Sequence, residues 1–493
     1  MQLNFKNTFI YTVLGFLPLS FSLIFTPFYT QYLSKADYGL LNLFNIISGL
    51  LMPFYGLGVD QAAGFLYWDY SKEKTRLNTF ISTTVILTFW IGLIISLVGA
   101  VAGPWLLKLF IKDAEHFTWW PYLLLVMVYP FFMTVNRIFL YYYRNEGSVK
   151  KYATLNISTL VLITAGSIGG VIVFKMGSAG AVEGRTIGFC GVVLFFCLYE
   201  LKKIGVHYDG RIARPLLKMG GPLFVSTIIG SVAYLGDRLI VEELGTLEKL
   251  GIYGFSVTIA SVIEILLAAL TNSFSPGVYK TLSTENTAEY ENARLQLFIF
   301  VYALIGAVVL AVAVVAPFTK LFISPNFFES VKYIPLLCLS FIPRTFTQLY
   351  SLKFYKTKKP SVILWLNVAY LVTVLGSGIP LYKWLGLPGI CLSVFITSLM
   401  NMSLAGFFSR RADSFDFGLR KPFVLFVAVA AAICALLLMP EDHFSVYFVY
   451  CLPLLVFLIL SATLLKKECS LLTRYTAGAY RRLMNKDAQT QAD

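Results

Sequence analysis

The feature that most constrains this chain is a succession of apolar stretches, each about 20 residues long, separated by short polar connections. A helix crossing the hydrocarbon layer needs about 20 consecutive, mostly apolar residues. Within that layer every backbone N–H and C=O must be satisfied inside the segment, so such stretches read as helices. They fall at residues 8–30, 38–60, 78–102, 119–143, 152–174, 180–201, 221–240, 252–275, 296–318, 331–352, 362–380, 389–408, 422–439 and 446–465. The expectation is an all-α polytopic membrane protein of about 14 transmembrane helices. Of the 493 residues, 57% are hydrophobic and 13% charged, against about 25% charged in soluble domains. The longest polar connections, such as 202–220, are too short for a soluble domain. The first span has no charged leader and no small-residue cleavage site, so it is expected to be helix 1 and not a removed signal peptide.

The net charge of +14 does not indicate a nucleic-acid partner, because the cations sit in short loops and not along one basic face. Their distribution is topogenic. The chain ends and even-numbered connections hold 28 Lys and Arg, and the odd-numbered connections hold 8. By the positive-inside rule the first set is cytoplasmic. The expectation is a bacterial inner-membrane protein with both termini in the cytoplasm. The seven cysteines include no CxxC pair, and six lie in apolar spans, where they read as small hydrophobes and not as metal ligands. All three histidines lie in loops, so no histidine proton relay crosses the membrane.

An internal repeat is visible at an offset of roughly 204–213 residues. The stretch Leu33 to Gly39 resembles Leu244 to Gly251; Pro130 matches Pro343, Pro18 matches Pro222, and Gly180 matches Gly389. Helices 1–6 and 7–12 thus read as two copies of a six-helix lobe with the same orientation, related by an axis along the membrane normal. This gives an N-lobe at residues 1–205, a C-lobe at 206–410, two further helices at 411–465 and a basic cytoplasmic tail at 466–493. Two such lobes suggest, by analogy, a transporter whose site lies in the cleft between them.

Charged side chains inside spans are costly, so each is a functional candidate. Arg344 follows Pro343 near mid-depth of the tenth span, with Glu264 of the eighth as its candidate structural partner. Arg137 lies about two turns from the cytoplasmic end of the fourth span. Arg238 and Arg185 lie towards the periplasmic ends of spans 7 and 6. Asp237 and Arg238 are neighbours on one helix, which should direct them apart. Asp60 ends the second span opposite Asn272 of the second repeat. Arg344, Arg137, Arg238 and Arg185 are the candidate cavity cations for substrate; Glu264, Asp60 and Asp237 are the candidates for coupling or gating.

The run Pro27 to Leu41 contains an apolar-Pro helix, a Leu33-Ser34 turn, the acid Asp37, the aromatic Tyr38 and Gly39. It resembles the opening of the polysaccharide-transporter branch of the multidrug/oligosaccharidyl-lipid/polysaccharide (MOP) exporter superfamily. Gly236-Asp237-Arg238-Leu239-Ile240 through Gly251-Ile252-Tyr253-Gly254 resembles that family's connection between helices 7 and 8. The resemblance runs over essentially the whole chain, including two trailing helices as in O-antigen and lipid II flippases. It implies flipping of a polyprenyl-pyrophosphate-linked oligosaccharide to the periplasmic leaflet for surface polysaccharide biosynthesis. The implied partners are that lipid-linked oligosaccharide, membrane lipids, a coupling ion (proton or sodium), and polysaccharide-assembly proteins such as a polymerase. No cofactor and no metal site is expected. The alternatives are an ion-coupled drug or metabolite exporter of the same superfamily, or a membrane enzyme acting on the same polysaccharide. The sequence has no Asp-x-Asp, no HExxH and no GxxxxGK[ST], so the reading is not an enzyme, and no ATP site is encoded.

Overall fold

The computed structural model describes residues 26, 28–110, 122–283, 287–356, 361–412, 418–437 and 452–464. Apart from short turns and connections they are helical, and there is no strand among them. In chain order the helices are α1 (Lys35–Gly56), α2 (Val59–Tyr70), α3 (Lys74–Phe110), α4 (Leu124–Glu146), α5 (Val149–Ile168), α6 (Gly177–Ile204), α7 (Gly210–Leu244) and α8 (Leu247–Ser283). They continue with α9 (Thr287–Leu310), α10 (Ala316–Phe322), α11 (Ile334–Lys356), α12 (Ser361–Leu385), α13 (Leu387–Ala412), α14 (Arg420–Leu437) and α15 (Leu452–Leu464). Nine stretches among the described residues are long and apolar enough to cross a membrane, and the molecule is a multi-pass membrane protein. The span expected at 8–30 lies almost wholly outside the described residues, as do the start of the last span and the tail.

The second expected span is corrected in one respect. It does not run unbroken through residue 60. Leu57 and Gly58 take positive φ angles of 41° and 74°, which end α1 and restart the chain as α2. Most of the expected 61–78 connection is therefore helical.

Local signals explain the ends. Ser34 caps α1: its hydroxyl accepts from the Asp37 amide at 3.1 Å, and Asp37 Oδ2 accepts from the Ser34 amide at 3.3 Å. This reciprocal capping box satisfies two free donors of the first turn. The Leu-Ser-x-x-Asp part of the family-like opening is thus a helix start. Asp37 Oδ1 also accepts from Ser178 Oγ at 2.8 Å, and Ser178 bonds Tyr122 at 2.8 Å. These bonds gather the starts of α1, α4 and α6 at one end. At the opposite end Lys151 lies 3.4 Å from Glu146 and 3.3 Å from Glu200. The His207 amide donates to Ser82 Oγ at 2.8 Å, and the Asp209 amide donates to Thr83 Oγ1 at 3.1 Å. The connections at 61–78, 144–151 and 202–220, all rich in Lys and Arg, therefore share one end.

The repeat has structural counterparts. Pro130 lies inside α4 and Pro343 inside α11. One turn on, Thr134 donates to the Pro130 carbonyl at 3.0 Å, and Thr347 donates to the Pro343 carbonyl at 3.1 Å. Each is a hydroxyl bonding back to the carbonyl four residues earlier in its own helix. The two halves meet where α1 packs along α8 and α7. A Cβ on Gly39 would strike the Leu247 carbonyl, and one on the matching Gly251 would strike the Lys35 carbonyl.

Within the first half, α5 and α6 approach through small residues, the arrangement that lets membrane helices pack closely. A side chain on Gly184 would collide with the Gly166 carbonyl, whereas Gly191 on the same helix has nothing within 4 Å of an added Cβ. Gly184→Val is expected to cost about 3 kcal/mol or more through overpacking. It should lower the melting temperature of the detergent-solubilised protein, while Gly191→Ala leaves it unchanged. Equal melting of the two variants would refute this packing.

Candidate functional site

Four of the seven sequence candidates converge. A small, partly open cavity is lined by Tyr234, Asp237 and Arg238 of α7, by Val257, Ala260 and Glu264 of α8, by Leu337, Ser340, Phe341 and Arg344 of α11, and by Val394 of α13. Arg344 stands ten residues into the 23-residue α11, roughly 15 Å along it at 1.5 Å per residue. The guanidinium lies over the Phe341 ring at 5.1 Å and the Tyr370 ring at 5.7 Å, and Nη2 donates to Tyr370 Oη at 2.7 Å. Its Nε is buried without a hydrogen-bond partner. A guanidinium carries five donors and no acceptor, so the site holds a cation with donors to spare.

Tyr234 organises the other side. Its hydroxyl donates to Glu264 Oε2 at 3.1 Å, its carbonyl accepts from Arg238 Nη1 at 3.3 Å, and its ring lies under the Arg238 guanidinium at 5.2 Å. Arg344 and Glu264 form no ion pair within 4 Å among the described residues, so the structural pairing considered from sequence is not made. The expectation that Asp237 and Arg238 point apart is also corrected. Arg238 Nη1 lies 3.7 Å from Asp237 Oδ1, because the long arginine stem folds back along α7. Asp237 is further held by Tyr253, whose hydroxyl donates to Oδ2 at 2.5 Å, and by the Arg238 amide at 2.9 Å.

The remaining three candidates lie in the first half. Arg137 Nη1 pairs with Asp60 Oδ2 at 2.9 Å, and Nη2 contacts Met52 Sδ at 3.2 Å. The helix break at Leu57–Gly58 brings Asp60 under α4. Arg137 is therefore a paired cation. The Asn272 side chain, expected opposite Asp60 in the repeat, lies outside the described part. Arg185 Nη2 donates to Asn45 Oδ1 at 2.6 Å, with Phe44 and Tyr129 rings 4.7 and 5.0 Å from its guanidinium.

The Asp60 side chain is 5% exposed and that of Arg137 is 32%, so removing the carboxylate strands a partly buried guanidinium. Asp60→Asn is expected to cost about 1–3 kcal/mol, and Arg137→Gln added to it should return part of that loss. Melting of the single and double variants checks the coupling; strictly additive losses would contradict it.

Sequence reasoning missed Tyr234, Tyr253, Tyr370 and Asn45. Tyr234 carried a signal, standing one helical turn before Arg238, and Tyr253 stood within the family-like run on the next helix; Tyr370 and Asn45 come from other helices, 26 and 140 residues from the arginines they bond.

This arrangement defines a class: a helical membrane protein with the fold of MOP-superfamily transporters. The lipid II flippase MurJ in an inward closed conformation superposes with a TM-score of 0.69 at 14% identity, covering 93% of this chain and 99% of that one. An inward-facing multidrug resistance MATE family transporter of the MOP superfamily gives 0.66 at 16% identity, covering 80% and 94%. A MOP superfamily transporter from Pyrococcus furiosus, described by the reverse polarity of its binding pocket, gives 0.59 at 15% identity, covering 83% and 95%. No curated protein sequence matches the chain. The family model described as polysaccharide biosynthesis protein matches residues 5–278, more than half of the chain, and the chain belongs to that family.

Proposed function

We propose that this protein flips a polyprenyl-pyrophosphate-linked oligosaccharide from the cytoplasmic to the periplasmic leaflet of a bacterial inner membrane. It does so by alternating access, with the N-lobe (1–205) and C-lobe (206–410) rocking about the cleft between them. The two further helices (411–465) and the tail (466–493) are additions, and both termini lie in the cytoplasm. The observation that carries the reading is the convergence of Arg238 and Arg344 on one interhelical cavity, in a chain of the polysaccharide biosynthesis family. No covalent step is needed. A diphosphate must leave water for an apolar layer, and arginine offers it planar, bidentate, permanently charged donors. Arg238 is engaged by Asp237 and Tyr234, so Arg344, with its spare Nε, is the primary anchor. Glu264 shares the cavity and is the acid placed to couple an ion to occupancy. A polymerase or other assembly protein acts on the delivered product.

Depletion of the protein in its host tests this reading. Lipid-linked oligosaccharide should accumulate and be accessible to a membrane-impermeant glycosidase in inside-out vesicles, but not in spheroplasts. Unchanged levels and sidedness, with altered drug efflux instead, would favour the exporter alternative.

A further inference from the structure

We propose that Arg185 and Asn45 form a second recognition site, in the N-lobe, that takes a carboxylate of an acidic sugar in the transported glycan. This rests on the reading above that the interlobe space carries a lipid-linked oligosaccharide. The site lies on α1, α4 and α6, the repeat equivalents of α8, α11 and α13, which line the C-lobe cavity. By the offset of 212 given by Gly39 and Gly251, Asn45 corresponds to Val257. By the offset of 209 given by Gly180 and Gly389, Arg185 corresponds to Val394. Both valines line the C-lobe cavity. The N-lobe thus presents polar groups where the C-lobe presents aliphatic ones, and the cation comes from a different helix.

The depth also matches. Arg185 stands eight residues into α6, roughly 12 Å along it, and Asn45 ten residues into α1, roughly 15 Å, close to the depth of Arg344 in α11. Asn45 is exposed although α1 is packed by α3, α4, α6, α7 and α8. An exposed side chain on a helix hemmed by five others looks into space between helices.

The chemistry of the site is specific. The Phe44 and Tyr129 rings, 5.8 Å apart, lie on one side of the guanidinium and leave the edge away from them for hydrogen bonding. Nη2 on that edge is held by Asn45 Oδ1, which turns the two Asn45 amide hydrogens outward. Arg185 Nε is buried with no partner, and so are Thr186 Oγ1 beside it on α6 and Ser48 Oγ one turn below Asn45 on α1. Buried polar atoms are almost always hydrogen-bonded, so the unpartnered Arg185 Nε is a donor left for a polar ligand or for water. A single guanidinium edge with an adjoining amide donor suits a singly charged planar carboxylate and its neighbouring hydroxyls. A diphosphate, with more charge, is better served by the two arginines of the C-lobe.

The full-length protein in lipid nanodiscs is titrated with a hyaluronan tetrasaccharide, which alternates carboxylate-bearing and neutral sugars, with neutral chitotetraose, and with pyrophosphate, following microscale thermophoresis. The wild-type protein should bind the acidic tetrasaccharide about tenfold or more tighter than the neutral one, the order expected from one charge-assisted pair. Arg185→Gln should erase that preference and leave pyrophosphate binding intact, while Arg185→Lys keeps part of the preference. Arg344→Gln should weaken pyrophosphate binding and keep the preference. Equal binding of the two tetrasaccharides by wild-type protein, or a preference that survives in a normally melting Arg185→Gln protein, overturns the inference. Absence of pyrophosphate binding by wild-type protein overturns the diphosphate role of the C-lobe cavity and leaves the Arg185 arm decided on its own.

Discussion

Arg344→Ala is expected to stop oligosaccharide flipping while leaving the protein folded and inserted. The side chain makes one hydrogen bond to protein, to Tyr370, and lies over two rings, so its truncation removes little that other residues depend on. What it removes from the cavity is the guanidinium with the spare Nε. Two charge-assisted hydrogen bonds to a diphosphate contribute about 3 kcal/mol or more, which corresponds to a rate loss of about 100-fold. Arg344→Lys keeps the charge and loses the planar fork, so it should retain a measurable fraction of activity. Tyr370→Phe, which frees Nη2 without touching the charge, should have a smaller effect than either. Surface polysaccharide per unit of membrane-inserted protein is the measurement. Full polysaccharide in Arg344→Ala cells at wild-type protein level would show that this arginine does not carry the substrate.

Glu264→Gln is expected to uncouple transport from the ion gradient. Glutamine still accepts the Tyr234 hydroxyl, so Tyr234 keeps its place beneath Arg238. The ability to take up and release a proton, or to hold a sodium ion by charge, is lost. Vesicles loaded with the lipid-linked substrate should then show movement down its own gradient but no acceleration by an imposed pH or sodium gradient. Asp60→Asn serves as the comparison. Its carboxylate is committed to Arg137 at 2.9 Å, so its main effect should be on stability. Gradient-driven acceleration that persists in Glu264→Gln would remove Glu264 from the coupling, and loss of acceleration in Asp60→Asn alone would move that role to the N-lobe.

The helices were legible because a membrane span is written redundantly, as length, hydropathy and alternating loop charge together. Lys151, Glu146 and Glu200 meet at one end and Asp37, Ser178 and Tyr122 at the other, as the count of crossings demands. The break at Leu57–Gly58 was not legible, since a positive φ at leucine depends on the packing around it and not on local propensity. Among charged residues, cost alone singled out all seven candidates. Which of them share a cavity is a matter of rotamer and helix rotation. Arg238 folds back towards Asp237, and Arg137 reaches Asp60 across 77 residues of chain. The tyrosines that hold Arg238 and Arg344 were hidden among the 29 tyrosines of the chain, most of which read equally well as interfacial or lipid-facing.

The most direct test of the central claim uses liposomes with a polyprenyl-pyrophosphate-linked oligosaccharide in both leaflets, treated from outside with membrane-impermeant periodate. Without protein, oxidation should stop once the outer leaflet is consumed. With the purified wild-type protein it should proceed to the inner-leaflet pool, because that pool is carried outward as the reagent acts. Arg344→Ala liposomes should behave like protein-free ones. Oxidation that halts at the outer leaflet with folded wild-type protein, under an imposed proton or sodium gradient as well as without one, would contradict the assignment of this chain as a lipid-linked oligosaccharide flippase.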